Sequence, residues 1–200
     1  MPRPQNTEQR RGEIVRGLAA VMAEQGYAKA TIRDIASAAG LTPGLVHYHF
    51  GSKQEILLAL IEQLATTFRS RLERSAVGPV ERILAVIDAL VGTEQGIESD
   101  AVACWVVVGA EAVRQPEVRR LYESLIAEAL HELTRVFAEA MQKGGRPDAS
   151  AADAALAVVA AVEGFFRLAA GAPSCVPGGS AVRSVQAIAR GYLQAAGVTP

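Results

Sequence analysis

This sequence has little of what most chemistry requires. Its two cysteines, Cys104 and Cys175, lie far apart and form no CxxC pair. That allows at most one disulfide and offers neither a secreted framework nor a thiolate zinc site. Three histidines are present. His47 and His49 are two residues apart and would diverge on a helix, and His131 is distant, so no imidazole pair is spaced to chelate a metal. There is no HExxH, no GxSxG and no Walker-type loop, which leaves metallohydrolase, esterase and nucleotide-hydrolase readings without machinery. Aromatic residues are scarce, with one Trp, and strand-like alternation is missing, so a β-rich architecture is not expected. The N-terminus, MPRPQNTEQRRGE, lacks the apolar core of a signal peptide. The most apolar stretch, 151–171, is interrupted by Asp153, Glu163 and Arg167 and is expected to fall short of the roughly 20 apolar residues of a membrane span. The expectation is a soluble, cytoplasmic protein.

The sequence does contain helical periodicity, punctuated by Gly, Pro and short polar caps. Half of the residues are apolar and a fifth are charged, with a net charge of −1. That charge is unevenly spread. Residues 1–53 carry seven Lys/Arg against four Asp/Glu, and the remaining 147 carry thirteen against seventeen. A basic front end on an acidic body suits a reader of polyanions joined to something else. The front end divides into three helices. The first, over about 7–25, lines up Ile14, Leu18, Val21 and Met22 and stops at Gly26. The second, over about 32–39, has Thr31 as N-cap and Asp34 at its third position, and ends at Gly40. The third is short, with Thr42 as cap and Pro43 where a missing N–H costs nothing, and closes near Tyr48 or His49. Ser52-Lys53-Gln54-Glu55 then reads as a capping box opening a long fourth helix to about Arg74. Five more follow, over about 79–93, 99–114, 116–143, 150–170 and 180–196. The expected fold is all-α: an N-terminal three-helix DNA-binding domain, 1–53, joined to a larger C-terminal helical bundle, 54–200.

Thr31 to Lys53, TIRDIASAAGLTPGLVHYHFGSK, carries the functional information. Two short helices joined by Gly40 and Leu41 form a helix-turn-helix, with Ile32, Ile35, Ala36, Leu41 and Val46 as its small core. The exposed face of the second helix then presents Thr42, Gly44, Leu45, His47, Tyr48 and His49. These hydroxyl, imidazole and phenol groups suit base edges and phosphates in a major groove. The order TxxDIAxxAG-LTPGLVHYHFGSKxEIL, above all Tyr48-His49-Phe50 followed by Ser52-Lys53, strongly resembles the TetR family of one-component repressors. The resemblance implies that Thr31 and Tyr48 touch phosphates, that Thr42, Gly44, Leu45 and His47 face bases, and that His49 and Lys53 grip the backbone beside the groove. Phe50 would pack inside, and Arg3, Arg10 and Arg11 would reach along phosphates or into a minor groove.

In the body, AVACWVVVGAEAVRQPEVRRLY and AVVAAVEGFFRLAAG are similar to regulators of the BetI type, which are associated with choline. The resemblance implies a small-molecule effector held by Trp105, Val108, Glu111, Phe137, Glu163 and Phe166, and a homodimer formed through the last two helices. The residues also allow plainer roles. Trp105, Val108 and Ala112 share one helical face and can be core, while Glu111 can pair with Arg114 and Glu163 with Arg167. Trp105 near carboxylates hints at a cationic or hydrophobic ligand, but with a single Trp no aromatic cage is legible. The dimer surface would be Leu156, Val159, Ala160 and Val162 on one helix and Val185, Ile188, Ala189 and Tyr192 on the other, stripes that could equally serve the monomer core. The expected function is a ligand-responsive repressor of a palindromic operator, with no cofactor and no enzymatic activity. The competing reading is an all-α enzyme or interaction bundle with an incidental front end.

Overall fold

The computed structural model describes residues 4–72, 78–91, 99–144 and 150–198. Among these residues the fold is entirely helical: α1 (Pro4–Gln25), α2 (Ile32–Ala38), α3 (Pro43–His49), α4 (Lys53–Leu72), α5 (Pro79–Val91), α6 (Ser99–Ala112), α7 (Pro116–Lys143), α8 (Ala151–Gly171) and α9 (Ser180–Ala195), with a 3-10 turn at Pro173–Cys175. The all-α expectation holds, and most of the predicted ends agree within two residues. The predicted ends at Arg74 and Thr93 lie outside the described residues, as does Arg3. The 3-10 turn between α8 and α9 was not anticipated.

The ends follow local chemistry. Gly26 and Gly40 adopt left-handed φ of 78° and 66° and stop α1 and α2, a conformation that a Cβ would strain. At the start of α2, the Thr31 hydroxyl accepts from the Asp34 amide (3.2 Å) and donates to the Asp34 carboxylate (2.6 Å), which also accepts from the Thr31 amide (2.9 Å). That is a full capping box. These donors hold the Asp34 carboxyl below its usual range, the Thr31 side chain having the largest effect. The box expected at α4 forms differently. The Ser52 hydroxyl accepts from the Glu55 amide (3.2 Å), but Glu55 reaches back to the amide of Gly51 (2.9 Å) rather than to that of Ser52.

The chain divides into two compact units, one comprising Met1–Ala65 with Asp100–Tyr122, the other Thr66–Ser99 with Glu123–Pro200. In the first, α1 packs on α2 and α3 and buries Ile14, Leu18, Val21 and Met22, as its periodicity predicts; Ile35, Ala36, Val46, Phe50 and the α4 residues Ile56, Leu57, Leu60 and Ile61 are buried as well. Gly17 makes the crossing possible. A Cβ there would sit 2.7 Å from the Ile35 carbonyl oxygen and 3.1 Å from the Ala39 Cβ. Helix α6 belongs to this unit, with Val102, Cys104, Val108 and Ala112 buried. The buried Cys104 thiol donates to the Ala19 carbonyl on α1 (3.3 Å), and neither cysteine is in a disulfide.

The second unit has a core of Ile83, Val86 and Ile87 from α5, Leu133, Val136 and Phe137 from α7, Ala154, Ala155, Val158 and Val162 from α8, and Val185, Ala189 and Leu193 from α9. Two expectations are corrected here. Of the predicted dimer surface, Val159, Val162, Val185 and Ala189 are buried in this core, which leaves Leu156 and Ala160 exposed and Ile188 and Tyr192 half-buried. Helix α8, moreover, is long and apolar enough by length and composition to cross a membrane, despite its three charges. Its Ala151, Ala154, Ala155, Val158, Val159 and Val162 face is packed into the core, which accounts for part of that apolarity.

Candidate nucleic-acid interface

Helix α3 is seven residues long and amphipathic in the simplest way. Val46 is buried, and around it Thr42, Gly44, His47 and Tyr48 face solvent, with Leu45 and His49 half-exposed. The Thr42 side chain caps the helix by accepting from the Leu45 amide (3.3 Å), which leaves its hydroxyl proton for an outside acceptor. Tyr48 is 71% exposed, its ring edge-on to His49 at 5.1 Å. A tyrosine used as core cover would not stand out this far. All six α3 residues read from the sequence are therefore brought together on one short, mostly solvent-facing element.

Thr31 is exposed but already engaged. Its hydroxyl donates to the Asp34 carboxylate, and a phosphate would have to compete for that hydrogen bond. Lys53, expected at the DNA backbone, has a role the sequence did not show. Its ammonium donates to the carbonyls of Tyr27 and Ala30, both at 2.8 Å, and sits 4.3 Å from the centre of the Tyr27 ring. It thereby closes the turn between α1 and α2 against the start of α4. Burial pushes the Lys53 amine down, opposed by the carboxylate of Glu111. A third N–H remains for an outside acceptor.

Two arginines expected along the DNA are engaged within the chain. The Arg11 guanidinium donates to the His49 carbonyl (2.6 Å) and lies over the Phe50 ring at 4.0 Å, so it caps the end of α3 instead of reaching for DNA. Arg10 pairs with Glu13 at 2.7 Å. Phe50 is buried, as expected. Sequence reasoning also missed Tyr27, whose buried ring and carbonyl complete the Lys53 clamp. A lone Tyr after a helix-stopping Gly gives no periodic signal.

The six residues expected to hold an effector divide between the units. Trp105, Val108 and Glu111 lie in the first, and Phe137, Glu163 and Phe166 in the second. Val108 and Phe137 are wholly buried. Trp105 is half-buried, its ring 5.2 Å from that of Tyr122, and Glu163 and Phe166 are also half-buried. Glu111 does not pair with Arg114. It accepts from the Gln115 side chain at 2.7 Å.

A seven-residue helix with one buried edge, set on a three-helix frame and joined to a helical body, defines a helix-turn-helix regulator. Comparison with known proteins agrees. Residues 14–60 match the bacterial regulatory proteins of the tetR family, and residues 79–196 match the C-terminal region of BetI-type transcriptional repressors. The chain belongs to the TetR family of transcriptional regulators, with a BetI-type C-terminal half; this is a family of regulators and not of enzymes. Among curated relatives, it is 35% identical over 124 residues to the HTH-type transcriptional regulator BetI of Rhizobium meliloti (strain 1021), covering 60% of this chain and 61% of that one. It is 28% identical to BetI of Stenotrophomonas maltophilia (strain R551-3), covering 68% and 73%. The chain thus spans about three fifths of the length of the first of these relatives. A transcriptional regulator from Rhodococcus sp. Rha1 shares the fold with a TM-score of 0.81 at 23% identity, over 95% of this chain and 99% of that one. A regulator from Saccharomonospora viridis, solved in complex with choline, does so with a TM-score of 0.78 at 21% identity, over 96% and 100%.

Proposed function

We propose that the chain is a ligand-responsive repressor that reads a palindromic DNA operator as a homodimer in the cytoplasm. The observation that carries this reading is the outward face of α3, where Thr42, His47 and Tyr48 stand exposed on a helix held from behind by Val46, Phe50 and Arg11. In this reading Thr42, Gly44, Leu45 and His47 meet base edges. Thr31, Tyr48, His49 and the remaining proton of Lys53 meet phosphates, and DNA contact is confined to residues 1–53. One short helix reads few bases, so a second copy supplies the other half-site. The exposed stripe Leu156, Ala160, Gly164 and Leu168 on α8, with Ile188 and Tyr192 on α9, is the surface we assign to that pairing.

For the effector, Glu163 and Phe166, half-buried in the second unit, are the proposed contacts. The likeness to BetI-type regulators and to a choline-bound neighbour favours a small cationic or hydrophobic compound. The remaining residues, 54–200, serve effector binding and dimerisation.

The test is selection of duplexes by the wild-type chain from a random-sequence pool. The expected result is an inverted repeat with half-sites about one helical turn apart or a little more. Tyr48→Ala should then weaken binding to all selected sequences alike, by roughly fivefold for one lost hydrogen bond, whereas His47→Ala should change which bases are preferred. Failure to enrich any sequence, or unchanged affinity in a folded Tyr48→Ala, overturns the reading.

A further inference from the structure

Helix α3 is too short to hold its own direction. Its seven residues fall well short of the roughly 12 at which a helix begins to persist alone in water. Its angle is therefore set by what fastens its two ends. The start is held by the turn before it, where the Leu41 amide donates to the Ala36 carbonyl (2.8 Å) and Thr42 caps the first turn. The end is held from outside. The Phe50 amide donates to the Val46 carbonyl (2.9 Å) and makes the last bond of the helical ladder. Beyond it the backbone is extended, and the Gly51 amide turns to the Glu55 carboxylate (2.9 Å). The His49 carbonyl lies past that last bond, among the acceptors a helix leaves unsatisfied at its C-terminus. Helix α1 satisfies it: the half-buried Arg11 donates to it from Nη1 at 2.6 Å. The same guanidinium lies 4.0 Å from the centre of the Phe50 ring, which is buried in the core.

We propose that Arg11 is a positioning residue for sequence-specific DNA binding, fixing the end of α3 on α1 through the His49 carbonyl and the Phe50 ring without touching DNA itself. This inference rests on the DNA-reading role proposed above. One side chain here joins α1, the last peptide of α3 and the ring that anchors the following turn. The joint matters because Tyr48 and His49 project from this turn with their rings edge-on at 5.1 Å, so a tilt of the peptide carries both with it. Helix α1 is also a firm reference, since Gly17 seats it closely on α2. It thus sets both helices of the motif. The residue type fits the task. A planar guanidinium stacks on a ring while donating in its own plane, which an ammonium cannot do, and a cation at a helix C-terminus meets the negative end of its dipole. A phosphate contact would act on every DNA sequence and would show in the salt dependence. A residue that only aims α3 acts on the fit to bases, so its loss falls on the preferred sequence.

The experiment compares wild type, Arg11→Lys and Arg11→Met on a duplex selected by the wild-type chain and on an unrelated duplex, across a range of salt. Hydrogen exchange of the Phe50 amide in the DNA-free protein is followed by NMR, with amides in the middle of α1 as the internal reference. Arg11→Lys, which keeps the charge, should bind the selected duplex about fivefold more weakly, the loss expected for one hydrogen bond. Its affinity for the unrelated duplex and its salt slope should stay at wild-type values, and Phe50 exchange should rise severalfold while the α1 amides do not change. Arg11→Met should lose as much on the selected duplex; should it fail to fold, Arg11→Lys carries the test alone. Wild-type affinity in Arg11→Lys would overturn the proposal. So would a loss in Arg11→Met that is equal on both duplexes and lowers the salt slope by about 0.9, the mark of one lost phosphate contact. If no duplex is selected, the DNA-reading role fails, and Phe50 exchange still decides whether Arg11 holds α3.

Discussion

Gly17 shows how a residue without chemistry can decide a fold. In the middle of α1 it forgoes about 1 kcal/mol of helix propensity relative to Ala, and its φ is ordinary, so the conformation does not demand glycine. The space does. A Cβ would meet the Ile35 carbonyl oxygen at 2.7 Å, a separation that real Cβ atoms essentially never show, and the obstacle is backbone that cannot swing aside. Two effects of opposite sign compete in Gly17→Ala: the gain in propensity and the cost of forcing α1 and α2 apart. Overpacking of this kind typically costs about 1–3 kcal/mol. The clash should win, giving a net loss of about 1–2 kcal/mol in urea unfolding. A more stable Gly17→Ala would mean that α2 shifts freely on α1, and that the DNA-reading frame is softer than its packing suggests. Lys53 makes the complementary point. Its charge invites a phosphate reading, but two carbonyls and a ring claim it within the chain first.

At the scale of the element, α8 carries two faces with different fates. Ala151, Ala154, Ala155, Val158 and Val162 are spent on the core of their own unit, while Leu156 (57% exposed) and Leu168 (50% exposed), with Ala160 and Gly164 between them, stand in solvent. Gly164 has nothing within 4 Å of a would-be Cβ among the described residues, so the stripe is uncrowded at that point. If this is where the second copy lies, the double substitution Leu156→Glu, Leu168→Glu should give a folded monomer by sedimentation at micromolar concentration where the wild type is a dimer. A wild-type monomer, or a dimer indifferent to both charges, would remove α8 from the interface. The contrast also shows what was legible beforehand. Helix number, caps and the α3 face could be read because caps and periodicity are local properties, written in Thr31, Asp34, Thr42, Pro43, Gly26 and Gly40. The division of α8 between core and surface could not, because a helix that is apolar nearly all round gives no phase to the pattern. Arg11 and Tyr27 were misread or missed for a related reason. Their partners, His49 and Lys53, are distant in sequence, and no spacing rule connects them.

For the whole molecule, the question is how an effector bound in the body would be felt at α3. Helix α4 is a continuous element from Lys53 to Leu72, and it contributes residues to both compact units. It is also tied within each. In the first unit Lys53 and Gln54 fasten its start to the α1–α2 turn and to Glu117. In the second, Arg69 makes a two-pronged hydrogen bond to Glu128 of α7, at 2.9 and 2.7 Å. The pairing raises the Arg69 guanidinium and lowers the Glu128 carboxyl, each chiefly through the other's side chain. Arg69 is exposed and Glu128 half-exposed, so the pair adds little to stability; what it can fix is the position of this part of α4 on α7. An effector shifts DNA affinity only to the extent that it prefers the released conformation, and a hundredfold preference corresponds to roughly 2.7 kcal/mol of coupling. We expect Arg69→Ala to leave the unliganded protein folded and its affinity for a selected duplex nearly unchanged, while reducing the release caused by a bound effector. The measurement begins with a thermal-shift screen of choline and larger quaternary ammonium compounds, followed by duplex binding with each stabilising compound in wild type and Arg69→Ala. A compound that stabilises both proteins equally but releases DNA only from the wild type would establish α4 as the lever. If every stabilising compound leaves duplex affinity untouched, the body serves dimerisation alone. If release is equal in the two proteins, the Arg69–Glu128 pair takes no part in the coupling.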